Sequence, residues 1–433
     1  MKLSQNYARI LFLSLIVISF SNKIFASDTI SLEQCYVLAE ESSPLRKNIE
    51  YRQRIAQSKI DNFSKDYWPQ LNLNAKAQYQ SEVTRIDIDI PIPNFNIKLP
   101  EMPKDQYQLA INIQQLLWDG GSISSLKNLE LAQQNVDVKQ TEIELYNIKD
   151  KVNNAYFNIL ILNERIKILI VLIETLEEKL KTVNSGVKAG FLLASNADVI
   201  RAEIMTINQT IFETVTAKKV FIEMLGKLIE KDLNEDIEFT IPDNVILKNR
   251  DFHSRLEYSA FELQKEALEQ AKRLNKTKYM PKIFAFGQAM YAKPGLNMFS
   301  EKFEPAYIAG IQFSWNIWNW GKSHKEDETA ELQKNMLITS EDNFTKQLNI
   351  AEKSYINNIE KLEGMIEQDK QLIEIRKKIA GESSKQLDAG VITSTDYITE
   401  LNKQKQAELT LEVHKIELIK TKIEYITFTG NAK

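Results

Sequence analysis

The side chains that most often carry chemistry are few here and lie far apart. Three histidines, His253, His324 and His414, fall on separate predicted helices, at no spacing that would gather them around a metal. The single cysteine, Cys35, has no partner for a disulfide and reads as a small buried hydrophobe. No glycine-rich phosphate loop and no nucleophile motif occurs. Neither a catalytic residue, a cofactor nor a bound metal is therefore expected, and the chain is not read as an enzyme. The 55 basic and 59 acidic residues leave a formal charge of −4, without a basic block that would hold nucleic acid. The charges recur along helical faces, where they solvate coiled coils.

What positions every other feature is an internal repeat, the first thing to look for in a long chain. Trp118-Asp119-Gly120-Gly121 returns as Trp318-Asn319-Trp320-Gly321, and Ala189-Gly190-Phe191 returns as Ala389-Gly390-Val391, each two hundred residues later. Apolar residues step by seven between these landmarks, at Val152, Ile159, Ile166, Ile173, Leu180 and Val187, then at Ile359, Ile366, Ile373, Ala380 and Leu387. A second row, from Ile148 and Ala155 to Leu176 and Val183, completes a coiled-coil seam. Only 13 Gly and 10 Pro interrupt 433 residues, so the elements are few and long.

Residues 1–26 read as a secretory signal: Lys2 and Arg9, an apolar run from Leu11 to Phe20, then Ala26 at the cleavage point. The first repeat follows over 27–233, a linker over 234–249, and the second repeat over 250–433. In the first, a Ser31-Leu32-Glu33-Gln34 capping box opens a helix that breaks near Ser42-Ser43-Pro44 and stops at Trp68-Pro69. Two strands, about 70–80 and 107–118, flank a proline-rich loop over 82–104. A rod about 100 Å long then runs from Gly121 to Gly186. It turns near 190 and returns through Ser195-Asn196-Ala197-Asp198, which has capping-box spacing. The second repeat has strands at about 282–291 and 306–318, a shorter loop, and a hairpin whose tip lies near 390 and whose return opens at Thr393 to Asp396. The third strand alternates less cleanly than the others.

Each strand is nine to eleven residues or so, enough to cross a bilayer when tilted, with one face apolar and the other rich in Asn, Gln and Ser. Aromatic residues gather at the strand ends, Tyr67, Trp68 and Trp118 on one side and Tyr279, Trp315, Trp318 and Trp320 on the other, as an interfacial girdle requires. Four strands cannot close a barrel, and an open sheet leaves backbone groups unpaired in hydrocarbon. Other copies of the chain must complete it. Two copies would give a small filled barrel and three a twelve-stranded one with a polar lumen; the long rods favour the larger ring.

The order helix, Pro, strand, loop, strand, Gly turn, long helix, Ala-Gly tip, helix, given twice after a signal peptide, resembles the outer-membrane efflux protein family, the TolC-like ducts. The resemblance covers essentially the whole mature chain. It implies a mainly α protein with membrane β-structure: a homotrimer whose twelve-stranded β-barrel sits in outer-membrane lipid and continues as a periplasmic α-helical coiled-coil barrel. The implied partners are a periplasmic adaptor (membrane fusion) protein and an inner-membrane pump or ABC transporter, serving efflux or type I secretion from a Gram-negative-type cell. By place in the family pattern, Lys188, Ala189, Gly190, Phe191 and Leu192 at the first tip and Asp388, Ala389, Gly390, Val391 and Ile392 at the second are the adaptor contacts. Ala stands where the family's tip motif has Val. Phe191, Leu192 and Ile392 are read as exposed. Asp396 matches the first acid of the family's Asp-x-x-Asp entrance motif; Thr399 stands at the second position, with Glu400 beside it. Asp396 also has the spacing to cap a helix with Thr393. Asp198 is the counterpart at the first tip, displaced by an apparent two-residue insertion. The expected function is a passive gated export duct. The alternative is a non-conducting coiled-coil stalk or adhesin anchored in the outer membrane.

Overall fold

The structure is a computed structural model, and it describes residues 29–86, 101–243, 245, 247 and 252–430. The signal sequence, most of the proline-rich loop and part of the linker lie outside the described residues. Two compact units form, each assembled from separated stretches of chain. One holds the chain up to Arg46 together with 142–256 and 345–433, and the other holds 47–141 and 257–344.

The described residues begin with a two-residue strand, β1 (Thr29–Ile30), and the helix α1 (Leu32–Ser42). Ser31 Oγ accepts the Gln34 N–H at 3.2 Å and Gln34 Oε1 accepts the Ser31 N–H at 3.0 Å, so the capping box forms as its spacing predicts. After α2 (Leu45–Lys65) come β2 (Gln70–Tyr79) and β3 (Asp105–Trp118). The long rod is two helices, α3 (Ser122–Tyr146) and α4 (Ile148–Lys188), not one. No Gly or Pro announces the break at Asn147. It coincides with tertiary demands: the Tyr146 hydroxyl donates to the Thr427 carbonyl at 2.9 Å, and the Lys149 ammonium lies over the Tyr36 and Tyr146 rings. The return helix is α5 (Ala194–Leu228), followed by the short strand β4 (Glu238–Phe239). The second repeat runs α6 (Leu256–Thr277), β5 (Lys282–Lys293), β6 (Glu304–Ser314), α7 (Lys322–Asp388) and α8 (Ser394–Phe428).

Two apolar clusters hold the helical unit. Around Tyr156, Phe157, Ile159 and Leu225 pack Cys35, Ile222 and Phe239, and the Tyr156 hydroxyl lies 2.9 and 2.6 Å from the carbonyls of Ile30 and Thr240. That hydroxyl thereby pins the parallel pair β1 and β4. Burial pushes the Cys35 thiol up to about 12, which suits a packing residue and not a reactive one. Nearer the hairpin ends, Leu176, Val183 and Ile200 pack with Leu387, Tyr397 and Leu401 from the second repeat. Each fully buried aliphatic contributes about 1.5–3 kcal/mol, so the seven-step seam holds both hairpins to one another.

In the other unit the sheet order is β2-β3-β5-β6, every pair antiparallel. Register aligns one apolar face: Leu71 and Leu73 face Ile113 and Ile111, and these face Gly287 and Ala289. The fourth strand ends at Ser314, short of the expected 318. Its partner begins at Lys282, directly after Pro281, which has no N–H to donate, so the ladder stops there. The noisy third strand also has a cause. Its polar-side positions include Phe284, Phe286 and Met290, aligned with Gln312, Gly310 and Ala306 of β6.

Candidate duct elements: sheet ends, hairpin tips and acidic positions

The expected aromatics do not divide between two sides. Tyr67 and Trp68 precede β2, Trp118 ends β3, Tyr279 precedes β5, and Trp315, Trp318 and Trp320 follow β6. In an antiparallel sheet these are all one end, the end joined to helices. A second set stands at the loop end and was not singled out from sequence: Tyr79, Tyr107, Tyr291, Phe303 and Tyr307, all exposed. Phe303 packs with the Tyr107 and Tyr291 rings at centroid distances of 5.9 and 5.5 Å. Ten residues of β2 at about 3.3 Å each, tilted by some 40°, separate the two sets by roughly 25 Å, the height of a lipid-facing apolar band.

The strand-to-helix turn at the helix-joined end is built for reversal of direction. Gly120 and Gly121 have φ of 71° and 85°. The Asp119 carboxylate accepts the N–H groups of Gly121 and Ile123 at 2.9 and 2.5 Å, and the Tyr67 hydroxyl at 3.1 Å. In the second repeat Asn319 accepts the Gly321 N–H at 3.1 Å, while Trp320 takes the left-handed position that glycine fills in the first.

Both hairpin tips end their first helix in a Schellman motif. The Phe191 N–H donates to the Gly186 carbonyl at 2.9 Å and the Gly190 N–H to Val187 at 3.1 Å; Val391 and Gly390 repeat this onto Gln386 and Leu387 at 2.8 and 2.9 Å. Gly190 and Gly390 carry the positive φ, 79° and 69°, that the motif needs. The tips match residue for residue, α4 and α5 bounding the first as α7 and α8 bound the second. There is no two-residue insertion, so Asp198 corresponds to Ile398, and Asn196 to Asp396.

That alignment changes the site residues. Leu193, without a side-chain bond, stands at the N-cap of α5, and Asp198 pairs with Arg201 at 2.8 Å, so the expected first capping box does not form. The second does: Thr393 Oγ1 accepts the Asp396 N–H at 3.2 Å and Asp396 Oδ2 the Thr393 N–H at 3.0 Å. These bonds from Thr393 hold the Asp396 carboxyl below the usual range. Glu400 is held low by Lys403 at 2.8 Å and Arg376 at 3.3 Å, and the Thr399 hydroxyl donates to the Thr395 carbonyl at 2.8 Å. Phe191 and Val391 are exposed at 83% and 72%, but Leu192 and Ile392 turn inward against the cluster around Leu176, contrary to expectation. Leu193, at 73%, takes their place on the surface. Lys188, Ala189 and Ala389 are exposed.

Two links between the hairpins had no sequence signal. Lys179 of α4 is buried. Its ammonium lies 2.9 and 3.0 Å from the Asp388 carboxylate oxygens, 3.2 Å from the Ser384 carbonyl and 5.1 Å from the Tyr397 ring centre. Asn196 Oδ1 accepts the Ser394 N–H at 3.1 Å. Among the histidines, His414 lies 2.6 Å from Asp369 between α7 and α8, a pair the sequence did not suggest. Among the described residues no group of three His, Cys, Asp or Glu could hold a metal, and no helix is long and apolar enough to cross a membrane.

Residues 35–209 match the model of the outer membrane efflux protein family. No curated protein matches the chain in sequence. Its fold is similar to that of the outer membrane protein VceC of Vibrio cholerae, at 13% identity, covering 92% of this chain and 96% of that one with a TM-score of 0.64. CusC is 12% identical over 95% of each chain, with a TM-score of 0.70, and the CmeC outer membrane channel of Campylobacter jejuni is 14% identical over 93% and 86%, at 0.63. CusC forms a transmembrane channel and CmeC is an outer membrane channel. Residues 35–209 thus resemble the outer membrane efflux protein family, and over more than nine-tenths of the chain the fold is similar to those of VceC, CusC and CmeC.

Proposed function

We propose that three copies of the chain close their sheets into one twelve-stranded barrel in the outer membrane and form a passive, gated export duct. The observation that carries this is the sheet itself. Its two outer strands, β2 and β6, each have one edge without a partner among the described residues, beside a face of exposed Leu71, Leu73, Ile311 and Phe313. In lipid those edges need partners. Strand direction alternates along the four, so β6 of one copy meets β2 of the next antiparallel, and the ring closes without a mismatch. The helical unit carries uncovered apolar groups of its own. Met205 of α5 and Ile375 of α7, 70% and 59% exposed, lie at equal distances along the chain from Gly190 and Gly390. That level suits packing between neighbouring copies.

The tips are the periplasmic entrance in this reading. A periplasmic adaptor would dock on Phe191, Leu193 and Val391, and an inner-membrane transporter would supply the energy. Opening separates the second hairpin from the first, which requires parting Lys179 of α4 from Asp388 and Asn196 of α5 from Ser394. An adaptor that binds the parted state more tightly shifts the population towards it. The test is conductance of purified protein in a planar bilayer, with the Phe191→Ser/Val391→Ser double variant assayed for export in cells. Pores that conduct, and a variant that inserts but does not export, are expected. Absence of conductance would sink the duct in favour of the stalk.

A further inference from the structure

The polar face of the sheet is not uniformly polar, although the lumen of an outer-membrane barrel is expected to be. On β2 and β3 it carries amides, with Gln78 donating to Gln106 at 2.6 Å and Gln288 of β5 to Asn112 at 2.7 Å. On β5 it turns apolar. The Phe286 ring lies against the bare backbone of Gly310, where a Cβ would meet its Cζ at 2.9 Å. Two rows towards the loop end, Met290 Sδ accepts from Gln108 Nε2 at 3.2 Å, so the sulfur is turned onto this face.

At that loop end lies a cavity of about 230 Å³. Met102, Met290 and Met298 line it with Lys76, Gln106 and Gln108. Three of the chain's nine Met meet in one small space. Thioethers are polarisable and favour the edges and faces of aromatic rings. The two lysines at the cavity differ. Lys293 is neutralised by Asp105 at 2.8 Å, whereas Lys76 has no carboxylate partner among the described residues. Glu304, the acid on the same row, is rooted three strands from Lys76, about 14 Å at the backbone; it accepts from Ser300 at 2.7 Å and its other oxygen lies beside Gly295 on the cavity's opposite wall.

A soft flat wall, amide donors and one uncompensated ammonium suit a small aromatic ring bearing a negative charge. We propose that this cavity is a binding site for small aromatic anions, such as aromatic carboxylates or sulfonates, and that such molecules are a cargo class of the duct. The site rests on the duct reading for its role and on its own residues for its chemistry. The Lys76 ammonium pairs with the anion, Met290 and Met298 cover the ring, and Phe286, about 13 Å further along β5, extends the same surface towards the helix-joined end.

The test is fluorescence anisotropy of 1-naphthalenesulfonate titrated with the detergent-solubilised full-length protein, with bilayer conductance measured on the same preparation. Saturable binding near one per chain is expected. Lys76→Gln and Met290→Gln should each weaken it by tenfold or more, and benzoate should compete while methanesulfonate does not. No saturable binding, binding unchanged in both variants, or equal competition by methanesulfonate would overturn the site. Conductance without binding removes this inference and leaves the duct. Binding by a protein that conducts nothing upholds the site and removes the duct.

Discussion

Replacing Lys179 with Met deletes a buried charge that joins the second hairpin tip to α4 while keeping the apolar stem. The ammonium makes contacts of 2.9 and 3.0 Å to Asp388 and 3.2 Å to the Ser384 carbonyl. A hydrogen bond to a charged group contributes about 1.5–3 kcal/mol. The Asp388 side chain is 44% exposed, against 8% for Lys179, so water recovers much of the carboxylate once the lysine is gone. The expected loss is therefore about 1–1.5 kcal/mol, well under the cost of stranding a fully buried charge. That is roughly tenfold in the balance between docked and parted hairpins. Each duct of three copies loses three such links, so single-channel recording should show Lys179→Met open at least ten times as often as the unaltered protein. Asp388→Asn should give a smaller shift, and the double variant should add little to Lys179→Met because both act on one link. Equal open probability in intact trimers, or strictly additive effects, would refute the latch.

Other outcomes follow from single geometries. Gly390→Asp places a Cβ at a φ of 69°, costs about 1–2 kcal/mol locally, and should abolish export while trimers still assemble on a denaturing gel run without heating. Gly120→Ala brings a Cβ to 2.3 Å from Met280 Cβ at a φ of 71°, and should lower the melting temperature and the yield of folded protein, with a cost of about 2 kcal/mol or more. Thr393→Val removes the cap of α8 and should cost about 1 kcal/mol, read as faster amide exchange in the first turn of that helix. The Thr393 bonds hold the Asp396 carboxyl below the ordinary carboxylate range, so its support for that turn is complete above that range and is lost as pH falls through the lowered value; amide exchange there should rise on acidification, and Asp396→Asn should flatten the dependence.

Much of this architecture was legible because it depends on local periodicity. Alternation marked β2 and β6, the seven-step seam marked the hairpins, and the Ala-Gly pairs marked two Schellman turns whose glycines only the left-handed region explains. What stayed hidden depends on residues far apart in sequence. The pairing of Lys179 with Asp388 and the bond from Ser394 to Asn196 span about two hundred positions and leave no pattern in either segment. The break at Asn147 answers to Tyr146 and Lys149 contacts, not to a breaker residue. Phe286 blurred the third strand because its ring covers Gly310 on a face otherwise read as polar. The tip residues were placed by analogy, and the equal length of the two tips, visible only in three dimensions, moved Asp198 away from Asp396.

In lipid the four-stranded sheet needs partners for its two open edges, and sister chains are the proposed source. Native mass spectrometry of the protein extracted from outer membranes in mild detergent measures this directly. The prediction is one assembly with the mass of three mature chains. A stable single chain, folded and carrying its sheet in detergent, would contradict it.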